Sequence, residues 1–176
     1  MSKYNNKFIL VYEKIARKMT ITIPKGIGRI GLNEFRDSFT NQRFNDAGSP
    51  AWKDVKRRDP KSNWYGFKLG NKARRPGVHT RKKLGKGNFS KARTTNAIMQ
   101  VTGQLRDATF VKSANFREVV WANSSKQANL MNRGGRFRIF GKHSAVMPKR
   151  QFMGYSTRMM GKIRLFVRQE FKDIFK

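Results

Sequence analysis

The chain has 176 residues, of which 38% are hydrophobic, and it carries 40 Lys and Arg against 10 Asp and Glu, a formal net charge of +30. This length predicts one domain, and the apolar fraction excludes a chain that is disordered throughout. Because cysteine is absent and there are only two histidines, we expect no disulfide, no metal and no cofactor. The longest apolar run, 8–12, is too short to span a membrane or to form a signal peptide.

Helices are predicted at the start of the chain. Apolar residues there follow helical spacing: Phe8, Val11, Tyr12, Ile15 and Met19. The run 8–12 fits a strand equally well, so both interpretations stay open. Pro24 suits the first position of a second helix, which is predicted over 24–44. We therefore expect an N-terminal extension at 1–23 and a single domain at 24–176.

A long basic insert is predicted at about 53–93. It contains fifteen Lys and Arg, two Asp and interspersed glycines, with little periodicity. Its candidate contacts with nucleic acid or an acidic partner are Arg57, Arg58, Arg74, Arg75, Arg81, Lys82 and Lys83. Such side chains suit phosphate binding, but a solvated loop or an arm docked on acidic neighbouring subunits has the same composition. A second basic tract, 126–164, has ten Lys and Arg and no acid, and is predicted to line a DNA-facing or acid-facing surface.

Strands and a closing helix are predicted after the insert. The runs 108–113 and 116–122 predict an antiparallel pair, and a third strand is predicted at 137–140. Ser156 can cap a last helix. The apolar stripe of that helix, which packs in the core or binds a partner, comprises Met160, Ile163, Phe166, Val167, Phe171 and Ile174. This order of elements predicts an α+β fold, with a small antiparallel sheet packed against an N-terminal and a C-terminal amphipathic helix.

Residues in three separated segments occur in a particular order: Phe35, Phe39, Trp52, Thr102, Gly103, Leu105, Gly134, Gly135, Pro148, Arg150 and Phe152. The first segment is an amphipathic helix followed by Trp52. The second is a short apolar run that leads into a Thr-Gly-x-Leu turn. The third is a Gly-Gly pair with a Met-Pro-Lys-Arg-Gln-Phe sequence before the closing helix. In this order they resemble the phage virion morphogenesis family, which includes Mu-like and P2-like tail-completion proteins and head-tail joining proteins. The resemblance covers about 23–176, apart from the basic insert.

The resemblance implies a non-catalytic structural protein of a tailed bacteriophage virion. Such a protein would be made in the cytoplasm of the bacterial host and would assemble as a ring at the neck or tail top, where it completes the tail for head-tail joining. Its expected partners are further copies of itself, neighbouring neck or tail proteins and, without sequence specificity, the packaged DNA; no membrane is expected. The composition also fits a stand-alone nucleic-acid-binding protein of the ribosomal or nucleoid type, and this alternative stays open.

Two patterns invite an enzymatic interpretation. Gly26, Gly28 and Gly31 match the spacing of a dinucleotide fingerprint, but no repeated strand-helix-strand unit follows them, so we interpret them as a close-packing surface of a helix. The acid pair Glu34 and Asp37 has no histidine, cysteine or metal-ligand partner nearby in sequence, so we expect helix-surface charges. No serine lies in a recognisable nucleophile motif, and we expect no enzymatic activity.

Overall fold

The structure, a computed structural model, describes residues 3–62, 64–66, 90–100, 102–139 and 143–174. The helices are α1 (Lys3–Arg17), α2 (Ile23–Asn41), α3 (Lys91–Thr95), α4 (Gln104–Asp107), α5 (Ala128–Arg133) and α6 (Thr157–Lys172). The strands are β1 (Thr109–Ala114), β2 (Val119–Asn123), β3 (Gly135–Ile139) and β4 (His143–Met147). These elements confirm the predicted α+β fold with an N-terminal and a C-terminal helix.

α1 continues into α2 through a π-helical segment, Lys18–Thr22. The amide of Ile23 donates to the Lys18 carbonyl, one residue further back than in an α-helix. Pro24 explains this widening, because a proline ring clashes with the carbonyl four residues before it and has no amide hydrogen. The chain is therefore helical well before Pro24, and the strand alternative for 8–12 is wrong.

Glycines allow α2 to lie close to the elements on either side of it. A Cβ at Gly31 would overlap the ring of Trp121 on β2, and a Cβ at Gly26 would overlap the ring of Phe166 on α6. The Trp121 indole nitrogen donates to the Gly28 carbonyl at 2.9 Å, which fixes the ring against the helix. The interpretation of these glycines as a close-packing surface is confirmed.

The described strands form two separate two-stranded antiparallel sheets rather than one sheet. β1 pairs with β2, with a bulge between Val111 and Ser113, and the Asn115 carboxamide oxygen accepts backbone amides in the turn that joins them. β3 pairs with β4, with Gly135 opposite Met147. The third predicted strand therefore begins earlier than expected, and its partner β4 was not predicted at all.

The first apolar cluster of the core joins segments that are far apart in sequence. Phe39 contacts Trp52 and Phe152, with ring centroids 5.7 and 5.0 Å apart, and Ile98 completes the cluster. The Trp52 indole nitrogen also donates to the Gln151 carbonyl at 2.9 Å. The end of α2, the segment after it and the segment before α6 are thereby held together.

The second cluster packs α6 on α2. It includes Met160, Ile163 and Val167 of the predicted stripe, and Met159, which that stripe did not contain. Phe35 of α2 lies against Met159 and Ile163 of α6, all three buried. The Ser156 hydroxyl caps α6 by accepting the Met159 amide at 3.2 Å, so the predicted cap is confirmed. Among the described helices, none is long and apolar enough to cross a membrane.

Gly31→Ala tests the close packing of α2. Alanine favours a helix over glycine by about 1 kcal/mol. Its Cβ would, however, overlap an indole ring held by a hydrogen bond, so we expect a net loss of about 1–3 kcal/mol in the free energy of unfolding.

Gly161→Ala in α6 is the matched control, because no atom lies within 4 Å of a Cβ built there. We expect it to stabilise the protein by about 0.5–1 kcal/mol. Urea unfolding followed by circular dichroism measures both variants, and an equal gain in stability for the two would contradict the close packing.

Candidate cationic interface

Arg57, predicted to contact nucleic acid, is half-buried and binds its own chain. Its Nη1 donates to the carbonyls of Arg93 and Asn96 at 2.5 and 2.9 Å, and its Nη2 donates to the carbonyl of Ala97 at 2.8 Å. Burial lowers the pKa of this guanidinium from its ordinary value, and the positive charges of Arg93 and Arg58 lower it further. Arg57 therefore ties the start of the basic insert to its end.

Arg58 also faces groups of its own chain. Its Nη1 lies 3.5 Å from the Asp54 carboxylate and 3.4 Å from the Gln42 carboxamide oxygen. The other predicted contacts of the basic insert lie outside the described residues: Arg74, Arg75, Arg81, Lys82 and Lys83. Neither described arginine of that set thus presents an unengaged guanidinium.

The apolar residues that carry the family resemblance meet in the core. Phe35, Phe39, Trp52 and Phe152 are buried, and Leu105 packs against the same cluster as Phe39. α2 contributes Phe35 and Phe39, and the segment after it contributes Trp52. Leu105 comes from α4, and Phe152 from the segment before α6. Their order in the sequence therefore corresponds to a set of contacts in the fold.

The glycines of the resemblance have positive φ at the ends of helices and at the start of β3. Gly103, Gly134 and Gly135 have φ angles of 71°, 72° and 139°. A Cβ at Gly134 would lie 2.7 Å from the Lys149 amide nitrogen, so two backbone segments approach each other there. Only a residue without a side chain fits that approach without strain.

Arg150 has a structural environment as well. It is 5% exposed, and its Nε and Nη2 donate to the Lys53 carbonyl at 3.1 and 2.9 Å. Burial lowers the pKa of this guanidinium from its ordinary value. Of the two remaining residues of the resemblance, Pro148 is half-buried beside Arg150 in sequence and Thr102 is exposed.

Glu34 is 3% exposed, which corrects the expectation that it is a helix-surface charge. Its carboxylate accepts hydrogen bonds from Lys162 Nζ and, at 2.5 Å, from Asn45 Nδ2. The Asn45 carbonyl accepts in turn from the Ser156 hydroxyl at 2.9 Å. Asp37, one helical turn further on, is exposed as expected. Glu34 was misjudged because the spacing of residues on a helix indicates direction but not how deeply other segments cover it.

Two buried serines, Ser38 and Ser156, serve as hydrogen-bonding groups of the fold. The Ser38 hydroxyl accepts the Asn45 amide and donates to the Glu34 carbonyl, both at 3.2 Å. Ser156 caps α6. In the part of the chain that the structure describes, no group of three or more His, Cys, Asp or Glu is arranged to hold a metal ion.

Exposed cations without an ion pair occur on several of the described elements, and two sets of them lie on β3 and α6. Arg136 and Arg138 are exposed, and because side chains two apart on a strand share a face, they point the same way. Arg164, Arg168 and Lys172 are exposed at four-residue steps and form a row on α6. Within the described ranges none of the five forms an ion pair. We call these five residues the cationic interface, since like charges left unpaired at such spacing favour an anionic partner.

Comparison with known proteins finds no relative of this chain. No family model, no curated protein and no solved structure matches it. The resemblance to the phage virion morphogenesis family therefore depends on the residues and contacts given above.

Substitution of Arg57 or Arg150 by Ala separates structural arginines from those of the cationic interface. We expect each variant to lose about 1.5–3 kcal/mol in the free energy of unfolding, because each guanidinium donates two or more hydrogen bonds to backbone carbonyls. Arg136→Ala and Arg138→Ala, on an exposed face, should change stability by less than about 0.5 kcal/mol. Thermal and urea unfolding measure all four; equal effects would contradict this division.

Glu34→Gln tests the buried carboxylate. Because hydrogen bonds to charged groups contribute about 1.5–3 kcal/mol, and because Lys162 and Arg158 are about half exposed and regain water, we expect a loss of roughly 1–2 kcal/mol. Asp37→Asn is the control on the same helix and should stay within about 0.5 kcal/mol of the wild type. Indistinguishable unfolding midpoints for the two variants would count against a structural carboxylate at Glu34.

Proposed function

We propose that this chain is a structural protein of a tailed bacteriophage virion, located at the neck or tail top, where it assembles as a ring and completes the tail for head-tail joining. The observation that carries the proposal is the convergence of the resemblance on one core. Phe39 contacts Trp52 of the same segment and Phe152 of the third segment, and Leu105 of the second segment packs against the same cluster. Residues that resemble a family in sequence order and also pack together support a shared fold more strongly than order alone.

The proposed role is assembly without catalysis, cofactor or metal. Its proposed partners are further copies of the chain and neighbouring neck or tail proteins, after synthesis in the cytoplasm of the bacterial host. The cationic interface supports contact with an anionic surface, which acidic neighbouring subunits or the packaged DNA would provide. Since Arg57 and Arg58 are engaged within the fold, the proposed contact shifts from the described start of the basic insert to β3 and α6.

A stand-alone nucleic-acid-binding protein of the ribosomal or nucleoid type is the second candidate. The net charge of +30 favours it, together with the five unpaired exposed cations on two different elements. Phosphate contacts of this kind need no base-specific side chains, because the backbone of any duplex offers them. The two candidates differ in where the protein resides and in what it assembles with.

Deletion of the coding sequence from the phage genome tests the first candidate. We expect separate heads and tails and a loss of infectivity, restored when the chain is supplied from a plasmid, because head and tail would lack a joining component. The protein should also sediment with purified virions. Its recovery with ribosomes or nucleoid instead, together with normal particles after deletion, would contradict the proposal and favour the second candidate.

The salt dependence of DNA binding tests the cationic interface. Each phosphate contact contributes about one unit to the slope of log affinity against log salt, so Arg136→Ala with Arg138→Ala should reduce that slope by about 2. Lys112→Ala with Arg117→Ala removes the same charge from the exposed β1–β2 hairpin and is the matched control. Titration of a fluorescent duplex at several salt concentrations measures both. A slope for the Arg136→Ala, Arg138→Ala variant equal to that of the wild type would exclude β3 from the contact.

A further inference from the structure

The N-terminal helix carries an apolar stripe whose first half is left uncovered by the part of the chain that the structure describes. Phe8, Tyr12, Ile15 and Met19 follow one another at steps of four, three and four residues, which places them along one side of a helix. Phe8 is 82% exposed and Tyr12 is 72% exposed, whereas Ile15 and Met19 are half-buried. α1 makes its main contacts with the π-helical segment that follows it. The stripe thus begins in solvent and runs toward the body of the protein.

An open apolar cavity lies where this stripe reaches the body. Its volume is about 810 Å³, and Met19, the last residue of the stripe, belongs to its lining. The other walls are formed by α2, by the β1–β2 hairpin with Phe116 and Trp121, and by α6 with Met160 and Phe171. A cavity of several hundred Å³ lined in this way has the size of sites that enclose apolar groups.

The stripe cannot fill the cavity of its own chain. A helix rises 1.5 Å per residue, so the eleven residues from Met19 back to Phe8 place Phe8 roughly 17 Å farther along the helix axis. The helix is continuous through the π-helical segment, with no break at which α1 would fold back. The most exposed apolar side chains and the apolar cavity therefore meet only between two molecules.

We propose that the stripe of α1 in one copy of the chain occupies the cavity of a second copy. The inference rests on the proposed assembly function and names the surfaces that would join the subunits. Phe8 and Tyr12 together would bury about 300–500 Å² if covered, more than a third of the roughly 800 Å² that one partner contributes to a standard interface. Each copy offers one stripe and one cavity at different places. A subunit that inserts its stripe into one neighbour and accepts the stripe of another therefore makes heterologous contacts, which close into rings when the rotation permits.

The charge of the chain determines when this contact forms. Two copies with a net charge of +30 repel each other, and salt screens that repulsion. Self-association through an apolar contact should therefore strengthen as salt is raised. Binding to a polyanion depends on counterion release and should weaken under the same change. The direction of the salt effect thus distinguishes a second copy from an anionic partner.

Sedimentation velocity of the purified full chain at increasing salt is the first test. We expect oligomers that grow with protein concentration and with salt, and we expect Phe8→Gln with Tyr12→Gln to abolish them. Val146→Gln with Leu165→Gln removes two apolar side chains that are 71% and 66% exposed and line no part of the cavity, so this variant should assemble like the wild type. A wild type that stays monomeric at high salt, or an equal loss in both double variants, would overturn the inference.

Disulfide crosslinking identifies the two surfaces directly. Because the chain has no cysteine of its own, only the introduced thiols can react. Phe8→Cys with Phe116→Cys places one thiol on the stripe and one at the cavity of each copy. Under mild oxidation we expect a ladder of disulfide-linked species beyond the dimer, because each subunit links to two others. The control pair, Phe8→Cys with Leu165→Cys, should stop at dimers; a ladder of equal length there would overturn the assigned cavity.

A lipid surface is the competing occupant, because a basic helix with exposed apolar side chains also binds membranes. Flotation with anionic phospholipid vesicles tests it: vesicle binding that the Phe8→Gln, Tyr12→Gln variant loses, in a chain that does not self-associate, would overturn the inference. A failure of the proposed function can be distinguished from a failure of this inference. If the protein self-associates through the stripe but is absent from virions, only the virion role is refuted. If virion rings form normally with the stripe variant, only the stripe contact is refuted.

Discussion

The approach of α2 to β2 on one side and to α6 on the other determines the arrangement of the rest of the structure. It depends on Gly31 and Gly26, where a side chain would occupy the space of the Trp121 and Phe166 rings. Glycine disfavours a helix by about 1 kcal/mol at each position, a loss offset by the aromatic surface that the close contact buries. One and two turns after Gly31, α2 presents Phe35 and Phe39 to the two apolar clusters. The helix therefore serves as the shared wall of the hairpin, the closing helix and the segments between them.

The elements that could be predicted from the sequence are those in which one local signal dominates. The last helix combines an apolar stripe with a serine at its start, and Ser156 caps it as expected. The β1–β2 hairpin has runs of β-branched and aromatic residues, as in Val119–Asn123. β4 lacks such a signal, because His143–Met147 contains one β-branched residue, and its pairing with β3 depends on a neighbour rather than on its own composition. Pro24 lies in the first turn of α2 as expected, but no sequence signal indicated that a π-helical segment joins this helix to α1.

The site was harder to predict than the fold, because exposure is a property of the whole chain. Glu34 and Asp37 look alike in sequence, yet the loop after α2 and the side chains of α6 cover only the first. Arg57 and Arg150 look like surface cations, but backbone carbonyls that no sequence pattern reveals accept their hydrogen bonds. Charge composition predicts that a polyanion or an acidic partner is needed. It does not predict which cations stay free to meet it.

The apolar and cationic surfaces lie on different elements of this protein, and we propose a different role for each. The cationic interface lies on β3 and α6, and the uncovered apolar stripe lies on α1 and ends at a cavity. A chain with so much like charge and so much exposed apolar surface is suited to a place inside an assembly, where neighbours neutralise the charge and cover the apolar surface.

An electron cryomicroscopy reconstruction of the assembled protein is the most direct measurement. Closed rings with helical density from each subunit seated in the cavity of the next are the predicted result, and isolated subunits with open cavities, or rings joined through other surfaces, would contradict it.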